Sequence, residues 1–467
     1  MSNQKVTPAD PALWKKIREF DFDSPMSEYG FTVRLIDENH WTIRFAENAI
    51  LEYKKFMYLA ATSNSMVSPS PVIDAVWHQH LIFTQSYSQF CEILGKFIQH
   101  VPSTHNREDQ KKFIQAKQYT VELYIENFGD LPADLWEAET MYDTVGWPKA
   151  KLKIRGFVLI GILGIILSLV PAYYVLRPLY IHINGPQFLV MYIILAVIIF
   201  FALFYDSREH FSKKIDKIGA ASFIYDLSPS ELVYLKTRDL NSVVDDRINQ
   251  LIESCKLSEE NGLIDAGKVS LDENELLEYQ VSQELKTAGG KIKYQGLRKK
   301  LVTKPVFTTI AGSMKAVDKY FIKSKELGNL FYKQFIILSL LLILGIVRVA
   351  TGIMRDRPFI LVLFLVLAIG VAIVIHLQEL TKRVSRSLIP RLYLEKILPS
   401  QNKQQNTEWR YFRLGAAALS AGFFVVAEPR VRSTDSGSSS ADASGSGCGS
   451  SCGSSCGSSC GGCGGGD

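Results

Sequence analysis

The sequence predicts a mainly α protein with a helical cytosolic N-terminal domain, four transmembrane helices in two hairpins, an α-rich cytosolic insert and a disordered tail. Three observations predict this architecture. Four stretches of the 467 residues are almost purely apolar, the polar regions show helical apolar spacing, and the last 35 residues contain almost only Ser, Gly and Cys. The mean hydropathy of +0.07 averages these unlike parts. A single soluble globule, a collagen and a disulfide-stapled mini-protein are therefore excluded.

The four apolar stretches cover residues 154–176, 187–205, 331–350 and 358–376. A helix needs about 20 mostly apolar residues to cross a hydrocarbon core of about 30 Å. A helix packed on the core of a soluble protein usually presents a polar face to water, and none of these stretches has one. We therefore predict two transmembrane hairpins, 154–205 and 331–376.

The distribution of Lys and Arg predicts the orientation, because basic segments next to the spans stay in the cytoplasm. The outer ends of the hairpins are basic, with Lys149, Lys151, Lys153, Arg155, Arg208, Lys213, Lys214, Lys217, Lys323, Lys325, Lys382, Arg383, Arg386 and Arg391. The connection 177–186 has one basic residue, whereas Arg355 and Arg357 make the second connection less clear. The N-terminal sequence lacks the apolar core of a secretory signal. We expect every large polar region to be cytoplasmic.

The predicted spans contain no Asp or Glu. Ionisable groups within the membrane usually mark a transport path. A transporter or channel is thus disfavoured, and the membrane part is predicted to be an anchor or a packing platform.

Residues 1–150 are predicted to form a compact helical domain. Thr7 followed by Pro8 predicts the start of a first helix, and residues 46–61 have apolar side chains at helical spacing. Four of the eight histidines fall within 28 residues of this domain, namely His78, His80, His100 and His105.

Several motifs of this domain resemble the glycine-rich domain-containing protein-like family. They are the W-H-x-H region with its flanking residues (Asp74, Trp77, His78, His80, Leu81, Tyr87, Cys91, Gly95, His100 and Pro102), Trp41 with EYKKF at 52–56, and YTVELYIENFGDLPADLW at 119–136. The resemblance covers about 140 residues. It implies an all-helical domain without an established activity, and it assigns no catalytic residue in this chain.

The side chains of His78, His80, Cys91 and His100 are candidate ligands for zinc or another soft metal. Their spacing is not that of a compact chelating motif, and on one helix His78 and His80 point about 200° apart. Two alternatives stay open: hydrogen-bonded histidines within a helical core, and a small-ligand or catalytic pocket. In the latter, Asp74, one turn before His78, would orient the imidazole.

Residues 206–330 form the predicted insert. Ser228 with Glu231, and Ser270 with Glu273, match capping boxes. Asn261-Gly262 predicts a turn beside a short strand, and a similar pattern around Gly289-Gly290 suggests a pair of winged-helix-like modules.

Charge is divided sharply within the insert. Residues 226–284 contain 14 acidic and five basic residues, whereas residues 286–325 contain 11 basic and one acidic residue. The basic stretch ends at the third span, where anionic lipids attract such clusters. Membrane-surface contact is therefore favoured over nucleic acid as a partner, with Lys299, Lys300, Lys304, Lys323 and Lys325 as candidates.

From about residue 184 onward the chain resembles a family of uncharacterised bacterial multi-pass membrane proteins with Gly/Cys-rich C-termini. The matching pieces are NGPQFLVMY (184–192), LSPSELVYL (227–235), RDRPF (355–359) and the tail. The resemblance implies a membrane protein and no activity. Together with the predicted orientation, it leads us to expect the protein in the bacterial cytoplasmic membrane.

The juxtamembrane segment 377–432 contains a short apolar run, 414–427, which reaches only about 21 Å as a helix. Whether this run crosses the membrane decides which side the tail is on. The tail, 433–467, is predicted to be disordered because it has no side chain that could form a core. Its cysteines could bind a soft metal, be modified or belong to a spacer: Cys448, Cys452, Cys456, Cys460 and Cys463.

The leading functional hypothesis is a non-enzymatic membrane protein that presents cytosolic helical modules for assembly with itself or with a protein partner. One alternative is a metal-handling protein that uses the histidine cluster and the tail. The other is a membrane-anchored hydrolase-like enzyme centred on Asp74, His78 and His80. No complete catalytic constellation supports a catalytic assignment for any residue.

Overall fold

The computed structural model describes residues 7–101, 107–401, 403 and 406–427. His105 and the tail cysteines lie outside these residues. Helices form most of the described chain and one small sheet accompanies them, which confirms the predicted mainly α class.

The described residues of the N-terminal region form seven α-helices. They are α1 (Pro11–Glu19), α2 (Phe31–Asn39), α3 (Ile43–Thr62), α4 (Pro71–Ile82), α5 (Thr84–Leu94), α6 (Arg107–Phe128) and α7 (Ala133–Trp136). The predicted start at Thr7 is wrong: α1 begins at Pro11, and the Asp10 side chain accepts a hydrogen bond from the Leu13 amide. Asp10-Pro11 repeats the cap-then-proline pattern three residues later and supplies the better acceptor.

Within the part of the chain that the structure describes, four helices are long and apolar enough to cross a membrane, as predicted. They are α8 (Ile154–Ile181), α9 (Gly185–Ile215), α15 (Lys325–Ile353) and α16 (Ile360–Ser400), the last containing π-helical turns at Val384–Leu388 and Tyr393–Ile397. Each one extends beyond its predicted apolar span, because polar residues at the end of a span continue the helix.

The bundle is organised around α15, which packs against α8, α9 and α16. The backbones approach closely where glycine leaves room. Gly161 of α8 lies against the Phe335 ring, and Gly345 of α15 lies against Tyr192 and Val366. Tyr192 also donates a hydrogen bond from Oη to the Leu341 carbonyl at 2.9 Å. Small residues and interhelical hydrogen bonds are the usual means of helix association in lipid.

The contacts of two cationic side chains of α15 show which helix ends lie together. Lys333, near the start of α15, pairs with Asp206 of α9 at 3.1 Å. At the other end of α15, Arg348 donates hydrogen bonds to the carbonyls of Tyr180 and Ile183 at 2.6 and 2.8 Å. The two short interhelical connections therefore lie at one end of the bundle, and the polar regions lie at the other.

The insert contains five helices and one antiparallel sheet of order β1-β2-β3. They are α10 (Pro229–Thr237), α11 (Leu240–Glu253), β1 (Leu257–Glu260), β2 (Leu263–Ala266), α12 (Leu276–Thr287), β3 (Lys291–Lys293), α13 (Tyr294–Leu301) and α14 (Pro305–Lys323). The strand after Gly289-Gly290 joins the first hairpin, and so the two parts of the insert share one sheet.

One of the two predicted capping boxes is present. Ser228 and Glu231 bond reciprocally at the start of α10. The second prediction is wrong, because α12 begins only at Leu276. The Glu273 carboxylate instead accepts hydrogen bonds from Ser282 and Lys286, so contacts across the helix replace the expected cap.

The N-terminal helices and the insert pack together as one polar body. The buried Glu231 carboxylate accepts a hydrogen bond from the Ile43 amide at 2.9 Å. Burial raises the pKa of Glu231 to about 6. Lys304, before α14, pairs with Glu28 at 3.0 Å, and α14 packs against α2.

The apolar run 414–427 belongs to this polar body. After α17 (Arg410–Leu414) it forms a 3₁₀ turn and α18 (Ala421–Ala427). Phe423 is buried against the Tyr294 ring, and Arg298 donates a hydrogen bond to the Ala427 carbonyl at 3.0 Å. The structure therefore argues against the alternative in which this run crosses the membrane, because its helix has only seven residues and Leu419, Phe423 and Ala427 are buried in the polar body.

The packing at Gly345 provides a test of the bundle. We expect Gly345→Leu to destabilise the protein by about 1–3 kcal/mol, because a Cβ at this position would meet Tyr192 Oη and Val366 at 2.5 Å. Gly164→Leu in α8 is the matched control, since nothing lies within 4 Å of its Cβ position. Thermal unfolding of the purified protein in detergent measures both effects, and equal unfolding midpoints for the two variants would contradict this packing.

Candidate metal centre

Helix α4 presents two candidate ligands on one face. Ser70 caps its first turn by accepting a hydrogen bond from the Ile73 amide, and Pro71 occupies the first helical position. Asp74 and His78 follow four residues apart, a spacing that places side chains next to each other on a helix. His80 points away from this face, as the sequence predicts.

The third member of the cluster is His100, which follows α5. Its Nε2 lies 3.0 Å from Asp74 Oδ1, and His78 Nδ1 lies 3.8 Å from Asp74 Oδ2. The centroids of the two imidazole rings are 4.5 Å apart. One possible ligand atom from each residue lies within 4.8 Å of the others. Asp74, His78 and His100 thus form a compact group of metal-ligand type.

Hydrogen bonds hold the segment that carries His100 against α4 and α5. The Tyr87 hydroxyl donates to the Ile98 carbonyl and accepts a hydrogen bond from Trp77 Nε1 at 3.2 Å. Trp77 also packs edge-on against the His100 ring at a centroid distance of 4.6 Å. These contacts position His100 in relation to the helix that carries the other two side chains.

The cluster borders a cavity of about 440 Å³. Asp74, Trp77 and His100 line one side, and Lys96 and Phe97 contribute to the remainder. The exposed fraction of the side chain increases from 17% for His100 to 34% for Asp74 and 57% for His78. The site is therefore open to solvent and has room for a small ligand.

His80 lies in the aromatic core on the other face of α4. Its Nδ1 is 2.9 Å from Tyr53 Oη and its Nε2 is 3.1 Å from Ser86 Oγ. The rings of Phe22 and Phe90 pack against it. Burial lowers the pKa of His80 to about 3. Both ring nitrogens therefore have hydrogen-bond partners. His80 matches the alternative of a hydrogen-bonded histidine within a helical core.

Cys91 is also buried in the N-terminal core and lies beside Tyr87. The structure therefore brings together His78 and His100 with Asp74, and it brings neither His80 nor Cys91 to them. The five tail cysteines lie outside the described residues. The contact between Asp74 and His100 is the feature that spacing along the chain could not show.

The five candidate membrane-surface lysines separate into two groups. Lys300 pairs with Glu284 at 2.7 Å, and Lys304 pairs with Glu284 at 3.1 Å, so both contact the acidic half of the insert. Lys299 is exposed on α13. Lys323 ends α14 and Lys325 begins α15, and both are exposed. Between them, a β-bridge joins Ser324 to Lys149, beside the start of α8.

Residues 16–119 match the family model described as UCP032817-like. This segment is less than a quarter of the chain, and it contains Asp74, His78 and His100. No curated protein and no solved structure matches the chain.

Burial of His80 leads to a pH prediction. Its pKa falls from 6.5 to about 3 on folding, and the unfolded chain therefore takes up the proton first as the pH falls. Titration of His80 therefore does not affect the free energy of unfolding well above pH 6.5. Below that, it lowers the free energy of unfolding progressively as the pH falls toward 3.

We expect the His80 ring to remain neutral at pH 5 in histidine-labelled full-length protein, as measured by its NMR chemical shifts. Between pH 7.5 and pH 5 the wild type should lose about 2 kcal/mol more stability than His80→Gln, which cannot titrate. An imidazole of His80 that titrates near 6.5 would rule out the buried environment.

Proposed function

We propose that this multi-pass membrane protein binds a divalent metal of the zinc class in its polar body. The observation that carries the proposal is the convergence of Asp74, His78 and His100 within 4.8 Å beside a cavity. Imidazole nitrogen and carboxylate oxygen are common zinc ligands. The exposed side chain of His78 can move toward the other two when an ion binds.

Three protein ligands leave at least one coordination position open. Sites of this kind hold a water or another ligand in the fourth position, whereas structural zinc sites are usually closed by four protein ligands. The open position here would face the cavity lined by Trp77 and Lys96. A hydrolase centre built from Asp74, His78 and His80 is not favoured, because His80 lies on the opposite face of α4.

A second candidate function is that of an assembly platform, with a protein partner or self-association. The polar contacts between the polar body and the bundle favour it, because they fix the position in which the polar body is presented. Arg238, after α10, pairs with Asp318 of α14 and donates a hydrogen bond to Ser385 of α16 at 2.7 Å. In this proposal the insert is a winged-helix-like interaction module, and the tail cysteines are a further place for a soft metal.

We further propose that the polar body is cytosolic and that the protein resides in a bacterial cytoplasmic membrane. The excess of Lys and Arg at the polar end of the bundle supports this orientation. The resemblances to the glycine-rich domain-containing protein-like family and to bacterial multi-pass membrane proteins are part of the same proposal.

Metal binding is tested on full-length protein in which the five tail cysteines are replaced by Ser. We expect one zinc ion per chain in a competition assay with a chromophoric chelator. Asp74→Asn, His78→Ala and His100→Ala should each weaken binding at least about tenfold. His40→Asn is the control, because His40 is exposed and has the left-handed backbone conformation that Asn tolerates. Zinc binding that survives all three substitutions would refute this site.

The orientation is tested with a single thiol at each end of the bundle. Cys255 is exposed in the insert and remains after the other cysteines are replaced by Ser. A cysteine-free background with Asn184→Cys provides the comparison, since Asn184 lies in the connection between α8 and α9.

With a membrane-impermeant maleimide, Cys255 should react only after the cells are permeabilised, whereas Asn184→Cys should react in intact cells. The reverse pattern would place the polar body outside the cytoplasm and overturn the orientation.

A further inference from the structure

A basic cavity of about 360 Å³ lies at the polar end of the bundle between α9 and α16. Five cationic side chains and one carboxylate, Glu379, line it. The cations are Arg208, Lys382, Arg383, Arg386 and Arg391. This cavity is distinct from the metal centre of the N-terminal helices, and none of the five candidate membrane-surface lysines lines it.

The positive charge of this cavity is only partly neutralised. Glu379 lies 3.8 Å from Arg386, and Glu395 pairs with Arg391 at 2.6 Å. Among the described residues, no carboxylate forms an ion pair with Arg208, Lys382 or Arg383. The cavity therefore has an excess of positive charge that suits an anion.

Arg383 is held at the inner wall of the cavity. Its guanidinium donates hydrogen bonds to Ser207 Oγ and to the Phe204 carbonyl, the latter at 3.2 Å. It also lies over the Phe204 ring, 4.5 Å from the centroid. These contacts hold one cation in place before any ligand binds.

An apolar groove of about 510 Å³ adjoins the cavity and also lies between α9 and α16. Phe204 lines both of them, and Ala196, Phe200, Leu365 and Ile369 are among the residues that continue the groove toward the middle of the bundle. The charged cavity thus lies at the end of the apolar segment, where lipid headgroups are found, and the groove lies at the depth of acyl chains.

We propose that this composite site binds an anionic glycerophospholipid. Its phosphate would lie among Lys382, Arg383 and Arg386, and one acyl chain would occupy the groove beyond Phe204. Basic pockets between transmembrane helices on the cytoplasmic side are suited to anionic headgroups. A free phosphate ion would leave the apolar groove without an occupant, and a neutral lipid would leave the cations without a counter-charge.

The test uses full-length protein in nanodiscs that contain phosphatidylcholine and phosphatidylglycerol, followed by native mass spectrometry of the lipids that remain bound. We expect one retained phosphatidylglycerol per chain. The double variant Lys382→Gln/Arg386→Gln should lower its relative affinity roughly 20- to 30-fold.

The matched control is Lys151→Gln/Arg155→Gln, which removes the same charges at the same end of the bundle but outside the cavity. This control should retain the lipid. A third variant, Val197→Trp, partly fills the groove and should reduce retention of phosphatidylglycerol while leaving the cations unchanged.

Four results would overturn the proposal. One is equal retention of phosphatidylglycerol by the cavity and control variants, and another is equal retention of the two lipids by the wild type. The third is displacement of the lipid by millimolar inorganic phosphate with no effect of Val197→Trp, which would make the site an anion site without an acyl chain. The fourth is a dimer without bound lipid, which would mean that a second copy of the chain occupies this face.

Discussion

The close approach of helices to α15 is the constraint on which the rest of the structure depends. In lipid, the hydrophobic effect does not drive helices together, and association relies on van der Waals contact and interhelical hydrogen bonds. Gly161 and Gly345 permit that contact, and Tyr192 adds a hydrogen bond to the Leu341 carbonyl. Because α14 leads directly into α15 at Ser324, the position of the polar body follows from the position of this helix.

Buried polar contacts then determine how the polar body is assembled. Glu231 connects the start of α10 to that of α3, and Arg238 connects α10 to α14 and α16. Breaking a buried or partly buried pair costs more than the pair contributes, because the remaining charge has no partner. These contacts therefore specify one arrangement of helices, and that arrangement leaves the Asp74, His78 and His100 cluster open to solvent.

Local spacing predicted only part of the candidate site. Asp74 and His78 are four residues apart on one helix, and the sequence therefore predicted their proximity and the opposite direction of His80. The approach of His100 could not be predicted, because it depends on Tyr87 and Trp77 holding the segment after α5. The sequence likewise predicted only part of the basic cavity. Its cations were recognised as markers of orientation, but only the packing of α9 against α16 brings Arg208 next to Arg383.

The sequence by itself determined the mainly α class, four helices apolar enough to cross a membrane, and the capping box at Ser228, because these depend on local composition and spacing. Only the tertiary structure decided where ambiguous segments lie. The run 414–427 is apolar enough to suggest a membrane helix, yet Tyr294 packs against Phe423 and Arg298 bonds to the Ala427 carbonyl, which holds the run on the polar body. Burial depends on which partner surface is available, and that surface is formed by residues more than a hundred positions away in the chain.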